Sequence, residues 1–385
     1  MNEALQKTLG LLLLILLGLV LQKKITAREH LKGIKVLILS VALPATIFVA
    51  LLKIELDRTM MLLPLLALSF NFLMLLASRY VLGLFGVEKG SSNLRTLMML
   101  LPSLAPGLSC FPFLIEYLGD NALAMAALAD VGNKVFVLIL LYILAMHWYH
   151  LYAVDNVPRS NKNKLKGLLI AMFNEPINMV IIIAMVLLGF GINLSTFPAF
   201  LENTILRMSV MMTPLVLLFI GLAVRVKWHE LKLIFFLLTW RAGITFCLSA
   251  LFIYSMPELS ASMALLAVVF PQSSCSFWPF AHMSTVNTME ETNRPKSPTF
   301  NINFALSILA CSLPFSTTLI LGVFSFTEFF MHPLHLVIIG MVLTLVSCIP
   351  FLLKKLKATR SGKPGLGDLT VLSGFTEEIE PERAS

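Results

Sequence analysis

Long apolar segments follow one another along almost the whole chain and decide what it can fold into. A transmembrane helix needs about 20 mainly apolar residues at a rise of about 1.5 Å each. Breaking the 385-residue sequence at charged and Pro/Gly-rich connections leaves eleven such segments, near residues 6–22, 32–53, 60–85, 94–118, 121–149, 167–193, 204–224, 230–254, 260–284, 300–325 and 333–353. Only 13% of the residues are charged, about half the fraction found in soluble domains. The sequence therefore predicts an all-α polytopic membrane protein without a sizeable soluble domain.

The remaining composition argues against several other classes of protein. The five cysteines all lie in apolar segments, without the spacing of a metal site or a disulfide framework. Lys and Arg exceed Asp and Glu by 29 to 21, which the positive-inside bias of membrane loops explains without a nucleic acid partner. The chain contains neither the H-E-x-x-H motif of metalloproteases nor the G-x-x-x-x-G-K-[ST] loop of ATP-driven pumps. We therefore expect no enzymatic activity and no cofactor.

Basic residues concentrate in alternate loops, which predicts the orientation of the chain. They cluster at residues 23–35, 89–95, 159–166, 225–232, 294–296 and 354–360. By the positive-inside rule the N-terminus lies outside and the C-terminus in the cytoplasm, with the cell membrane as the expected location. Residues 154–166 are then a cytoplasmic linker. The Gly-, Pro- and charge-rich segment 358–385 is predicted to be a disordered cytoplasmic tail.

Two motifs recur in the two halves of the chain. The stretch LSVALPATIFVALL from Leu39 corresponds to MSVMMTPLVLLFIGL from Met208, and SCFPF at 109–113 corresponds to CSFWPFA at 275–281. A five-span unit crosses the membrane an odd number of times, so its second copy is inserted upside down. The sequence therefore predicts two inverted five-helix repeats, 1–153 and 167–325, followed by an extra helix at 333–353. Inverted repeats with interrupted helices are typical of secondary transporters, whose binding site lies near the midplane where those helices meet.

Proline and glycine interrupt the fourth and ninth spans, in LPSLAPGLSCFPF (101–113) and FPQSSCSFWPF (270–280). A broken membrane helix leaves amides and carbonyls that hydrocarbon cannot satisfy. It persists only where protein, water or a bound solute supplies partners. We therefore expect these two segments to cross and to contribute a substrate site. The candidate site residues in and beside the breaks are Gly107, Ser109, Pro112, Pro271, Gln272, Ser273, Ser274 and Pro279.

Asp130 and Lys134 place two charges inside the fifth span. Asp130 lies nine residues after Asn121, the predicted start of this span. At about 1.5 Å per residue this is about 13 Å into a hydrocarbon core about 30 Å thick. An unpaired charge there would cost at least about 2.5–3.5 kcal/mol, and the i,i+4 spacing lets the two neutralise each other. Asn133 shares much of their face, and Gly132 allows another backbone to approach closely. The pair either braces the helix, or works in transport with Asp130 taking a proton or cation and Lys134 holding a substrate carboxylate.

Further polar residues lie in the second half. Arg241 falls about a dozen residues into the eighth span, and is either a third member of the site or a scaffold counter-ion. In the tenth span, Asn301 and Asn303 stand where the first repeat has its charges, and their amides suit solute or ion coordination. His282 is expected at the cytoplasmic end of its helix rather than as a ligand.

In these motifs the chain resembles the auxin efflux carrier family, which includes the plant PIN-type carriers and many bacterial permeases. The resemblance covers about residues 8–325. It rests on KVLILSVALPATIF in the second span, GLSCFPFL in the fourth, LADVGNKVFVL in the fifth, NEPINMVIIIAMVLLGFGI in the sixth and TPLVLLFIGLAV in the seventh. The resemblance implies ten helices in two inverted repeats, a scaffold part and a transport part, and a crossover of helices 4 and 9 at prolines. It also implies elevator-like movement and organic anions as substrates.

The chain departs from the family pattern at both breaks. The family's Asn-x-Gly-x-x-Gly-x-Pro appears here as Ala105, Gly107, Cys110 and Pro112, which adds Cys110 to the candidate site residues. In the ninth span Pro271 matches the family, whereas the internal repeat points to Pro279, so the crossover is left open between them.

Together these features predict a secondary transporter that moves a small organic anion across the bilayer by alternating access. Coupling to a proton or a sodium ion, the direction of transport, the identity of the carboxylate and a homodimeric assembly are left open. The alternative is a receptor or sensor on a transporter scaffold, with the extra span and the tail as its output.

Overall fold

A computed structural model describes residues 3–25, 27–53, 60, 62–85, 87–88, 90–152, 166–167, 170, 173–223, 231–256, 259–293 and 298–360. Within these residues every regular element is helical, and no strand is present. The predicted linker 154–166 lies outside the described residues except for its last residue. The predicted tail 358–385 lies outside them except for its first three, which end a helix.

The helices follow one another in a simple order. Their bounds are α1 Glu3–Leu21, α2 Arg28–Leu37, α3 Leu43–Leu52, α4 Leu63–Val81, α5 Ser92–Leu100, α6 Pro106–Ser109, α7 Phe111–Val135, α8 Leu141–Tyr152, α9 Pro176–Gly189, α10 Ala199–Val210, α11 Met212–Ala223, α12 Leu231–Ser255, α13 Ala261–Val269, α14 Phe277–Asn293, α15 Ile302–Ser325, α16 Thr327–Met331 and α17 Pro333–Arg360. Single π-helical turns join α2 to α3 and α7 to α8, so each pair runs on as one longer helix.

Seven helices in the described part of the chain are long and apolar enough to cross a membrane. They cover Glu29–Leu52, Leu63–Val81, Phe111–Tyr152, Ala199–Ala223, Lys232–Ser255, Ala261–Glu291 and Ile302–Ser325, with shorter apolar helices at Gln6–Leu21, Pro176–Gly189 and Pro333–Ile349. The chain is thus an all-α integral membrane protein, as the apolar segments predict. The fourth predicted span, 94–118, is divided among α5, α6 and the first turns of α7.

Gly119 separates the fourth predicted span from the fifth. Its φ of 78° and ψ of −170° lie in a region that glycine adopts without steric penalty, and they kink α7 at this point. The residues after the kink carry Asp130, Asn133 and Lys134, which are all buried.

The helices pack in pairs through small residues. Gly18 of α1 lies against Gly221 of α11, and Gly243 of α12 lies against Gly340 of α17. A residue without a side chain lets two membrane helices approach until their backbones touch. Further pairs form between α3 and both α9 and α10, and between α4 and α7. The last described helix, α17, is therefore an integral part of the bundle, packed against α12.

Gly132 of α7 makes the close approach that the sequence predicts, and it yields a testable consequence. A methyl group added there would overlap the backbone of Pro64, at the start of α4. Gly132→Ala should therefore push α4 and α7 apart and destabilise the fold by about 1–3 kcal/mol. Thermal unfolding of the purified variant in detergent would measure this loss.

Gly322→Ala is the matched control for this prediction. Gly322 lies in α15 with no heavy atom within 4 Å of an added methyl, so alanine there should be neutral or stabilise by about 0.5–1 kcal/mol. Equal melting temperatures for the two variants would contradict the close packing of α4 on α7.

Candidate functional site

The first interruption separates α5 from α7. α5 ends at Leu100, residues 103–105 belong to no regular element, and the four-residue α6 precedes the start of α7 at Phe111. Pro102 and Pro106 explain the break, because a proline has no N–H to donate and disfavours helical geometry in the residue before it. Ala105, which precedes Pro106, accordingly has a φ of −128° and a ψ of 68°.

The second interruption separates α13 from α14. A single 3₁₀ turn, Phe270–Gln272, follows α13, residues 273–276 belong to no regular element, and α14 begins at Phe277. Pro271 lies in the 3₁₀ turn before these four residues and Pro279 in the first turn of α14 after them. The break therefore falls between the two prolines that the sequence offers as crossover points.

The two interruptions contact each other through backbone and serine groups. The amide of Ala105 donates to the carbonyl of Ser274 at 2.8 Å. The amide of Ser274 donates to Ser109 Oγ at 2.9 Å, and that of Ser276 donates to Ser103 Oγ at 3.0 Å. Each break therefore supplies hydrogen-bond partners that the other needs in a medium without water.

Arg241 of α12 completes the partners of both interruptions. Its Nε donates to the carbonyl of Leu101 at 2.8 Å, and its Nη2 donates to the carbonyls of Ser103 at 3.3 Å and Ser273 at 2.8 Å. The side chain is almost wholly buried. A guanidinium group carries several donors in a rigid plane, so one arginine can donate to carbonyls of both interruptions at once. Of the roles open to Arg241, this geometry favours a structural one.

Asn133 of α7 forms hydrogen bonds with the backbone of the first interruption. Its Nδ2 donates to the Leu104 carbonyl at 2.9 Å and to Asp130 Oδ1 at 2.8 Å. Its Oδ1 accepts from the Leu104 amide at 3.3 Å and from Asn71 Nδ2, on α4, at 3.0 Å. The side chain thus ties the break to the charged pair on the same helix.

Lys134 lies at the centre of a buried polar cluster. Its Nζ is 3.5 Å from Asp130 Oδ2, so the predicted contact of the pair within α7 is present. It also lies 3.2 Å from Glu175 Oε2 and donates to Asn178 Oδ1 at 3.0 Å. Glu175 is the residue before α9 and Asn178 lies in its first turn, so the cluster joins two helices.

The other predicted residues of the first break are close-packed. Gly107 lies against Leu43 of α3, Ser109 bonds the second break, Cys110 is fully buried, and Pro112 lies in the first turn of α7. Of these residues, Ser109 contacts the second break directly.

In the second break, Ser273 and Ser274 supply the backbone groups described above. Gln272 is buried and donates from Nε2 to the carbonyl of Ala242 at 3.2 Å. The amide of Cys275 lies 3.3 Å from Ser312 Oγ of α15. Ser312 therefore contacts the second break, much as Asn133 contacts the first.

Asn301 and Asn303 lie elsewhere. Asn301 caps α15, accepting from the amide of Phe304 at 3.0 Å, and its Nδ2 donates to Asn93 at 2.9 Å. Asn303 is exposed two residues further on. Both residues stand at the start of α15, whereas the second break contacts this helix further along, at Ser312. The structure therefore does not bring Asn301 or Asn303 to the interruptions.

The expected position of His282 is wrong. It lies in the second turn of α14, buried, with Nε2 2.9 Å from the carbonyl of Val137 and its ring edge-on to Tyr142. The helix continues to Asn293, beyond the predicted end of the span at residue 284, so His282 lies well before its end.

Four residues of the site were not assigned to it from the sequence: Ser103, Glu175, Asn178 and Ser312. Glu175 and Asn178 belong to the stretch NEPIN, where polar residues flank a proline within an apolar segment, and this is the signal that marks them. Among the described residues no group of three or more His, Cys, Asp and Glu side chains is arranged to hold a metal ion.

Comparison of the chain with models of known protein families finds no match, and comparison with curated proteins finds none either. The resemblance to the auxin efflux carriers thus stays a prediction from the motifs.

Proposed function

We propose that this membrane protein is a secondary transporter that moves a small organic anion by alternating access. The observation that carries the proposal is the contact between two interrupted membrane helices, joined by the hydrogen bonds of Ala105, Ser274 and Ser276. Interrupted helices that meet inside the bundle form the binding sites of many transporters, because their free backbone groups can bind solute. In this proposal residues 1–153 and 167–325 are the two inverted repeats.

The buried charges support a carboxylate as the transported group. Lys134 is a cation inside a membrane helix, and intramembrane ions of this kind commonly mark a substrate or ion pathway. α7 and α14 both begin at the interruptions, and the N-terminus of a helix carries a partial positive charge. A small anion near the breaks would gain from the positive potential of these helix N-termini.

In this proposal the helices divide into two parts. α1 packs on α11, and α3 packs on α9 and α10, whereas α14 packs on α8 and α15. We assign the first group to a scaffold and the helices around the interruptions to a moving part, as the resemblance to the auxin efflux carriers suggests. The contact of Lys134 with Glu175 then crosses between the two parts.

Uptake into liposomes tests this proposal. Purified protein would be reconstituted, and the entry of labelled acetate, benzoate, succinate and citrate measured with pH and sodium gradients applied separately. We expect at least one carboxylate to enter faster than in protein-free liposomes, and one of the gradients to accelerate it. Binding of a carboxylate without any uptake would favour a receptor instead, and neither binding nor uptake would reject an organic anion as the ligand.

A further inference from the structure

The ammonium group of Lys134 is surrounded by three oxygen acceptors. It donates to Asn178 Oδ1 at 3.0 Å and lies 3.2 Å from a carboxylate oxygen of Glu175 and 3.5 Å from one of Asp130, and an ammonium group has three N–H donors in all. A substrate carboxylate that binds Lys134, as the proposed function requires, must therefore displace one of these oxygens.

Glu175 is the partner that is easiest to displace. Asp130 is on the same helix as Lys134 and is also held by Asn133. The Glu175 side chain is 23% exposed, whereas that of Asp130 is only 5% exposed. Glu175 also precedes α9 in extended conformation, and its contact with Asn178 is long, at 3.5 Å. The Glu175 carboxylate can therefore swing away without unwinding a helix.

The charges of the cluster oppose the entry of an anion. With both acids ionised, Asp130, Lys134 and Glu175 sum to −1. A monocarboxylate would bring this to −2 in a region of low dielectric constant, where like charges repel strongly. α3 and the π-helical turn before it also pack against α9, and their residues include no titratable group, so among the described residues the titratable groups that face Glu175 from the packed helices are Asp130 and Lys134.

We propose that Glu175 is a built-in competitor that holds the place of the substrate carboxylate on Lys134 and leaves when it takes up a proton. The added proton forms an O–H bond on Glu175 and breaks its ion pair, and the substrate carboxylate then pairs with the ammonium. One proton and one monocarboxylate enter together, so the charge of the cluster stays at −1. The same step removes a bond between α7 and α9, which the proposed function assigns to different parts, and so couples binding to movement.

Glu175→Gln tests this inference, which rests on the proposed function. Glutamine imitates the protonated acid, so it no longer competes for Lys134 as an anion. With benzoate and acetate as probes, binding to wild-type protein should strengthen about tenfold for each pH unit lowered between about pH 7.5 and about pH 5.5, since one proton accompanies each anion. The Glu175→Gln variant should bind at about pH 7.5 at least about tenfold more tightly than wild type and lose this pH dependence.

Two further measurements keep the test decisive. Glu328→Gln, which neutralises an exposed carboxylate on α16, should behave as wild type. Should Glu175→Gln not fold, wild-type protein in weak buffer should still take up about one proton per benzoate bound.

The outcomes separate this inference from the proposed function. If wild type transports a probe and Glu175→Gln has the same affinity and the same pH dependence as wild type, or no proton is taken up, Glu175 is not the competitor and transport stands. If neither acetate nor benzoate nor the other carboxylates bind or move in any variant, the transport of organic anions fails, and the inference fails with it.

Discussion

Replacing Arg241 with methionine is expected to be among the most destabilising single changes in the protein. The substitution leaves the carbonyls of Leu101, Ser103 and Ser273 without the donor that now serves both interruptions. An unsatisfied buried carbonyl costs about 1–3 kcal/mol, and removing the buried charge offsets only part of this. We expect a net loss of at least about 2 kcal/mol, measured by thermal unfolding of the purified protein.

Two other substitutions of arginine control this prediction. Arg207→Met removes an exposed guanidinium from α10 and should change stability by less than about 0.5 kcal/mol. Arg241→Lys keeps the charge but lacks the planar fork, so it should recover only part of the loss. A melting temperature of Arg241→Met equal to that of Arg207→Met would contradict the structural role of Arg241 at the two breaks.

Replacing Lys134 with alanine is expected to abolish transport. The variant removes the cation that contacts Asp130, Glu175 and Asn178, and leaves two carboxylates close together without compensation. Removing one partner of a buried charge pair commonly costs about 2–5 kcal/mol of binding free energy, which corresponds to a fall in affinity for the substrate of at least about 30-fold. Carboxylate uptake into liposomes would measure the effect.

Lys53→Ala is the matched control for Lys134→Ala. Lys53 forms an ion pair of 2.8 Å with Asp120, but both side chains are substantially exposed, at 43% and 32%. Exposed pairs contribute only about 0–1 kcal/mol, so uptake should stay near the wild-type rate. Equal uptake by Lys134→Ala, Lys53→Ala and wild type would exclude Lys134 from the transport site.

The sequence predicts the features that depend on neighbouring residues. Apolar segments about 20 residues long predict the membrane helices. Clusters of proline predict the two interruptions, because the hydrogen bond that a proline cannot donate belongs to its own helical turn. The i,i+4 spacing of Asp130 and Lys134 gives their contact, and the lack of a side chain at Gly132 gives the close packing on α4.

The features that depend on which helices meet could not be predicted. Glu175 reaches Lys134 only because α9 packs beside α7. The two residues are 41 positions apart in the sequence, and no local pattern indicates that their helices are neighbours. Whether Arg241 belongs to the site or is a scaffold counter-ion depends on the contacts of its guanidinium group with both breaks, which the sequence does not contain. Matching the repeats by residue type put Asn301 and Asn303 opposite the charged pair, whereas packing brings Ser312 to the second break. Short motifs align poorly over a whole helix, and three-dimensional contact decides the register.

Counterflow of a labelled carboxylate tests the central claim most directly. Liposomes containing the protein would be loaded with an excess of the unlabelled carboxylate that is taken up best, and diluted into a trace of the same compound carrying label. A carrier that exposes its site alternately to the two sides will draw label inward to a transient excess over the equilibrium level, because unlabelled molecules return the site to the outside. We predict this overshoot for wild type and Lys53→Ala and its absence for Lys134→Ala. Label that equilibrates without an overshoot, or that enters wild-type and protein-free liposomes at the same rate, would contradict alternating access at this site.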